Sequence, residues 1–151
     1  MKKLILLLLI VFAILASCAD DIIIPQQSPL RGAYRGSYTV VENYNTGGAT
    51  VTHFQYVDWT FTDQKFFCDV NDTISSEIWL CNFSGGYKLE NVLVFSDTLV
   101  GVQTCNKDFI PVGDMQLIRY QNEEGLLDSM EISQYDIPHT MLKTLMLYPV
   151  D

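Results

Sequence analysis

The chain of 151 residues has room for one domain, and its 9 Lys and Arg face 18 Asp and Glu. A net charge of −9 excludes a general nucleic-acid binder, which needs a basic face to replace the counterions around phosphates. Hydrophobic residues at 48% and charged residues at 18% exclude a chain that is disordered throughout.

Met1-Lys2-Lys3 is a short basic segment, Leu4 to Leu15 is an unbroken apolar run, and Ala16 and Ser17 are small. That order is the layout of a secretory signal. The run is shorter than the ~20 residues a bilayer-spanning helix asks for. Leu15-Ala16-Ser17-Cys18 resembles the bacterial lipobox at all four positions. The resemblance implies that residues 1–17 are a lipoprotein signal peptide and that Cys18 carries the acyl chains, with palmitate among them. Two or three chains give stable anchoring where one is marginal. Losing Lys2 and Lys3 with the signal takes the net charge of −9 to −11, which repels anionic lipid. The expected membrane partner is therefore met through the acyl chains alone. Ala19-Asp20-Asp21 resembles the surface-export signal of Bacteroidetes lipoproteins. The expected address is the bacterial outer membrane, on its periplasmic or cell-surface face.

Residues 18–30 read as the lipidated tether, with Pro25, Gln26, Gln27, Ser28 and Pro29 suiting an extended linker. Ile22-Ile23-Ile24 either covers the end of the domain or sits in the lipid interface.

Residues 31–151 form the domain, and from Ala33 to Val150 short β-rich runs alternate with turn residues. Ala33 to Asn43, Val51 to Thr62, Lys65 to Val70 and Glu77 to Ser84 are predicted strands, with Gly85-Gly86 as a turn. Tyr87 to Phe95, Thr98 to Thr104, Asp114 to Gln121, Leu126 to Tyr135 and Lys143 to Val150 follow. No stretch has a helical period, and residues 136–142 hold at most one short helical turn. The expectation is all-β: an antiparallel up-and-down meander of eight or nine strands, closed as a barrel or packed as a β-sandwich. In the second strand Val51, His53, Gln55, Val57, Trp59 and Phe61 share one face, and its 57/59/61 end is the predicted core side. Phe54 and Tyr56 fall on the other face and suit an edge or a mouth.

Gly32-Ala33-Tyr34-Arg35-Gly36-Ser37-Tyr38 resembles the first-strand signature of lipocalin-like (calycin) barrels, with Tyr34 in the aromatic place. Trp59 to Cys68, Cys81 to Tyr87, Val92 to Phe95, the acidic turn at Asn122 and the final Leu145 to Leu147 are similar in spacing to small lipocalin-like lipoproteins of Bacteroidetes. The resemblance implies a lipocalin-like barrel in the cell envelope and carries no uniform activity with it.

Export places Cys68, Cys81 and Cys105 in an oxidising compartment. Cys68 and Cys81 lie on neighbouring predicted strands and are the favoured disulfide. Cys105 is then left over, or pairs with Cys81 instead. A metal-binding trio ranks last, since no Cys-x-x-Cys is present. His53 and His139 read as surface or rim residues, and Asp58 as a carboxylate pointing to water. No Gly-x-Ser-x-Gly, His-Glu-x-x-His or phosphate loop occurs, so neither an enzyme nor a cofactor is expected.

The aromatic residues are expected to fill the core or, if a cavity exists, to wall it. Strand parity selects Tyr38, Trp59, Phe61, Trp79, Tyr87 and Phe95 as the lining set for a small apolar ligand. Asp72-Thr73-Ile74, Asp97-Thr98-Leu99 and Asp128-Ser129-Met130 each resemble the Bacteroidetes O-glycosylation site, which implies glycans at Thr73, Thr98 and Ser129. Two functions follow: a non-enzymatic lipid-anchored carrier of a small apolar ligand, or an envelope lipoprotein with a filled barrel that docks a protein partner. The carrier requires an interior void, and the docking protein requires a dry interior.

Overall fold

The structure is a computed structural model that describes residues 30–71, 79–100 and 105–150. The predicted signal peptide, Cys18, most of the predicted tether and Thr73 lie outside the described residues. Among the described residues eight strands run in chain order: β1 Gly32–Glu42, β2 Val51–Phe61, β3 Lys65–Val70, β4 Phe83–Leu89, β5 Leu93–Val100, β6 Gly113–Gln121, β7 Leu127–Asp136 and β8 Met141–Pro149. Each pairs antiparallel with the next, and β1 also pairs with β8 from Tyr34↔Pro149 to Val41↔Leu142, which closes the sheet into a barrel. That last pairing removes both free edges and excludes the sandwich.

Alternation decides what the barrel encloses, because successive side chains on a strand point to opposite faces. On β2, Gln55, Val57, Trp59 and Phe61 are buried, as the core-side reading of the 57/59/61 end predicts. On β1 the inward set is Tyr34, Gly36, Tyr38 and Val40, and on β8 it is Met141, Lys143, Leu145 and Leu147. Phe54 and Tyr56 lie on the outer wall instead, their rings 5.0 Å apart and edge to face.

Two glycines shape the wall. A Cβ on Gly36 would lie 1.7 Å from the Met146 carbonyl oxygen, so only glycine lets β8 approach β1 at the seam. Gly85 and Gly86, predicted as a turn, lie inside β4, where the register with β5 shifts between Ser84 and Gly86. A Cβ on Gly85 would come 2.7 Å from the Ser96 carbonyl oxygen and 2.9 Å from the Phe66 ring. The glycine pair thus serves a bulge and a close approach rather than a chain reversal. The turn falls at Glu90-Asn91-Val92. The predicted strand at Glu77 to Ser84 is no strand over 79–82, and the one at Thr98 to Thr104 is the end of β5 where described. The hairpin at 137–140 is a turn without helix, closed by the Thr140 amide donating to the Ile137 carbonyl. The helical element among the described residues is a 3-10 turn at Lys107–Phe109, capped by the Asn106 side chain accepting from the Asp108 amide.

The lower half of the barrel is filled by the wall's own aromatic residues. The Trp59 indole stacks on Phe66 at 5.2 Å and on Phe95 at 5.8 Å, with Phe83 edge-on at 5.4 Å. Phe61 meets Tyr34 and Tyr87 edge-on below it. Burying such a side chain is worth about 1.5–3 kcal/mol, so this cluster is the main anchor of the fold.

Candidate functional site

Both ends of the barrel are closed by chain segments whose carbonyls accept hydrogen bonds from side chains of the wall. At the floor, the Tyr87 hydroxyl lies within hydrogen-bond reach of the Leu30 and Thr62 carbonyls, which share its one proton. The Tyr34 hydroxyl donates to the Arg31 carbonyl at 3.0 Å, so the chain entering β1 covers this end. Leu30 is buried there.

At the mouth, residues 105–112 form a roof. Phe109, Ile110 and Pro111 are buried in it. The Tyr38 hydroxyl donates to the Phe109 carbonyl at 2.5 Å, the Lys143 ammonium to that of Ile110 at 3.2 Å, and the Gln134 amide to that of Val112 at 2.6 Å. Donors from β1, β8 and β7 therefore hold one short peptide. The Phe109 ring lies 4.8 Å from His53 and 5.4 Å from Trp79, and Trp79 in turn stacks on Tyr38 at 6.0 Å.

The charged side chains that the strands and the 137–140 hairpin bring to this end are paired. Lys143 is 4% exposed, and its ammonium also lies 2.9 Å from Asp136. His139 approaches the same carboxylate at 3.1 Å from the exposed hairpin. Burial pushes the Asp136 carboxyl up, but the hydrogen bonds and charges of Lys143 and His139 outweigh it and hold it below the ordinary carboxylate value. His53 sits at the rim with Glu42 at 2.6 Å. Asp58 faces outward and pairs with Arg35 at 2.8 Å.

The disulfide joins Cys81 to Cys105, not Cys68 to Cys81 as favoured from the sequence. The reason is the position of β4. Cys68 stands opposite Phe83 in the β3–β4 register, so Cys81 lies before the strand begins and reaches the roof instead. The bond ties residues 79–82 to the roof loop. Cys68 is a free thiol buried in the interior opposite Trp59. Burial, then the charges of Asp69 and Asp58, push that thiol well above its ordinary value.

Tyr38, Trp59, Phe61, Tyr87 and Phe95 all point into the barrel and are buried, and Trp79 is half-buried at the roof. The structure splits them into two groups. Trp59, Phe61, Tyr87 and Phe95 belong to the lower cluster, while Tyr38 and Trp79 belong to the roof. Within each group the rings touch one another. Outside, a groove of about 690 Å³ on β8, β1 and β2 is lined by Arg35, Ser37, Phe54, Tyr56, Tyr148 and Val150. Of the glycosylation candidates within the described residues, Ser129 is 5% exposed and donates to Asp128, and the Thr98 hydroxyl oxygen is shielded from solvent. Neither hydroxyl is offered to solvent by the folded barrel.

Sequence reasoning missed Lys143, Gln134 and Phe109. A signal existed for one of them, since Lys143 shares the inward phase of Met141, Leu145 and Leu147. Comparison of the chain with protein-family models, with curated proteins and with solved structures found no match.

Proposed function

We propose that this chain is a non-enzymatic, lipid-anchored protein of the bacterial outer membrane, held through acyl chains on Cys18, that acts by docking a protein partner. The observation that carries the reading is the filling of the barrel: Trp59, Phe61, Phe66 and Phe95 occupy its lower half at 2% exposure or less. Phe109 and Ile110 occupy its mouth. A carrier needs room that a packed interior does not leave. Lys143 is engaged by the roof and by Asp136, and His53 by Glu42, which supports a binding role over catalysis.

Native mass spectrometry of the full chain tests this, beside a denatured spectrum of the same sample. The expected native mass is that of the bare processed polypeptide with its lipid, less two protons for one disulfide. A small molecule released on denaturation would restore the carrier reading. Cys18→Ser is expected to move the protein out of the membrane fraction; an unchanged fraction would remove the anchor.

A further inference from the structure

The lower barrel is filled by its own strands, whereas the mouth is filled by a peptide from outside the ladder. The β5–β6 register runs from Leu93↔Met115 to Phe95↔Gly113, and the roof segment precedes β6. That segment has the features of a bound ligand. Ile110 is extended, with φ −73° and ψ 133°. Three of its carbonyls, those of Phe109, Ile110 and Val112, accept from three side chains on three strands. Its aromatic ring sits in a box made by His53 and Trp79.

We propose that Phe109 to Val112 is a built-in surrogate ligand, and that the site beneath it takes an aromatic–aliphatic segment of the partner protein, turned at its aromatic residue and extended after it, in its place. The inference rests on the docking function proposed above and names the chemistry of the partner. Main-chain carbonyls read by Tyr38, Lys143 and Gln134 are common to any extended peptide, and the ring box selects an aromatic side chain. The charge pattern favours an amide over an acid. Asp136 already neutralises Lys143, and Glu42 already faces His53, so a carboxylate ligand would meet two anions at the mouth. Because the surrogate is tethered, it competes at the high effective concentration of a short loop and lowers the apparent affinity of any partner. Emptying the box should therefore strengthen binding.

The test is titration of the full chain, wild type and Phe109→Ala, with the peptide acetyl-Lys-Asp-Phe-Ile-Pro-Val-amide, a copy of residues 107–112, followed by calorimetry and tryptophan fluorescence. The expected result is at least tenfold tighter binding to Phe109→Ala, with the gain lost when Lys143→Met is added. If Phe109→Ala does not fold by circular dichroism, Phe109→Leu takes its place, with a gain of threefold or more expected. Equal affinity for wild type and the folded variant overturns the proposal. So does a gain seen with indole or toluene but absent with the peptide, which would assign the box to a small apolar molecule. A failed peptide titration beside a bare native mass removes this inference alone and leaves the docking function standing.

Discussion

The Tyr38 hydroxyl donates to the Phe109 carbonyl at 2.5 Å, joining residues 71 positions apart inside the barrel mouth. Tyr38 is 1% exposed, and burial, followed by the charges of Cys68 and Asp136, pushes its phenol well above the ordinary value. The hydroxyl therefore stays a neutral donor across the working pH range. Its ring also stacks on Trp79, which touches the same Phe109. One side chain thus both backs the Trp79 wall of the ring box and makes the polar contact to the roof.

Tyr38→Phe separates these two roles. The ring and its stacking remain, while the Phe109 carbonyl loses its donor. A hydrogen bond of this kind contributes about 1 kcal/mol. Amide hydrogen exchange should show faster exchange in residues 105–112 with the ladders of β1, β2 and β8 unchanged. Uniform acceleration across the barrel would mean that the roof is not a separable element.

The cysteines give the most direct chemical check. A non-reducing peptide map should link Cys81 to Cys105 and leave Cys68 alone. Native protein at pH 8 should resist alkylation at Cys68, because the thiol is buried and its pKa raised. Denaturation should then make the Cys68 thiol reactive. Cys105→Ser is expected to cost about 3 kcal/mol in the chain-entropy account, since the bond closes a loop with a separation of 24 residues. Cys68→Ala removes one small buried group and should cost about 1 kcal/mol. The opposite ranking would point to a Cys68 pairing.

The barrel was legible in the sequence because period-2 alternation survives wherever one face is buried. The inward run Gln55, Val57, Trp59, Phe61 is the clearest case. Gly85-Gly86 misled because glycine is ambiguous without its neighbours: a turn and a close approach use the same absent Cβ, and it takes the Ser96 carbonyl oxygen at 2.7 Å and the Phe66 ring at 2.9 Å to separate the two. The favoured disulfide failed for a linked reason, while the alternative pairing of Cys81 with Cys105 holds. Placing the turn at the glycines put Cys81 on a strand beside Cys68, whereas the true strand starts at Phe83. Gln134 and Phe109 were beyond reach, because their roles depend on a loop folding back over residues far away in sequence. Tyr38, Trp59, Phe61, Tyr87 and Phe95 do turn inward, while Trp79 lies off the strands at the roof, but parity alone does not say whether inward rings enclose a space or fill it.

At the seam, Gly36→Ala should be among the most damaging small substitutions. Its Cβ would fall on the Met146 carbonyl oxygen, so the β1–β8 pairing must open. The expected cost is on the order of 3 kcal/mol, read as a lower urea midpoint. Gly48→Ala is the control, because its Cβ would meet its nearest neighbour, the Thr46 hydroxyl, at 3.5 Å in an exposed turn. That change should stay within about 0.5 kcal/mol of wild type.

The roof also carries a pH signature through Asp136. Its folded pKa lies below its unfolded value, because the bonds from Lys143 and His139 outweigh the opposing effect of burial. The stabilisation is fully present above the unfolded carboxyl value of about 3.9 and is lost as the pH falls through the folded one. Asp136→Asn removes it and leaves the Lys143 ammonium with the Ile110 carbonyl as its remaining partner at the roof. Unfolding free energies measured from pH 7 to pH 2 should therefore differ most between wild type and variant at neutral pH, by about 2 kcal/mol. The two curves should converge in acid as the wild-type carboxyl takes up its proton. A gap that widened on acidification would mean that Asp136 is not the ion-pair partner of Lys143 inside the barrel.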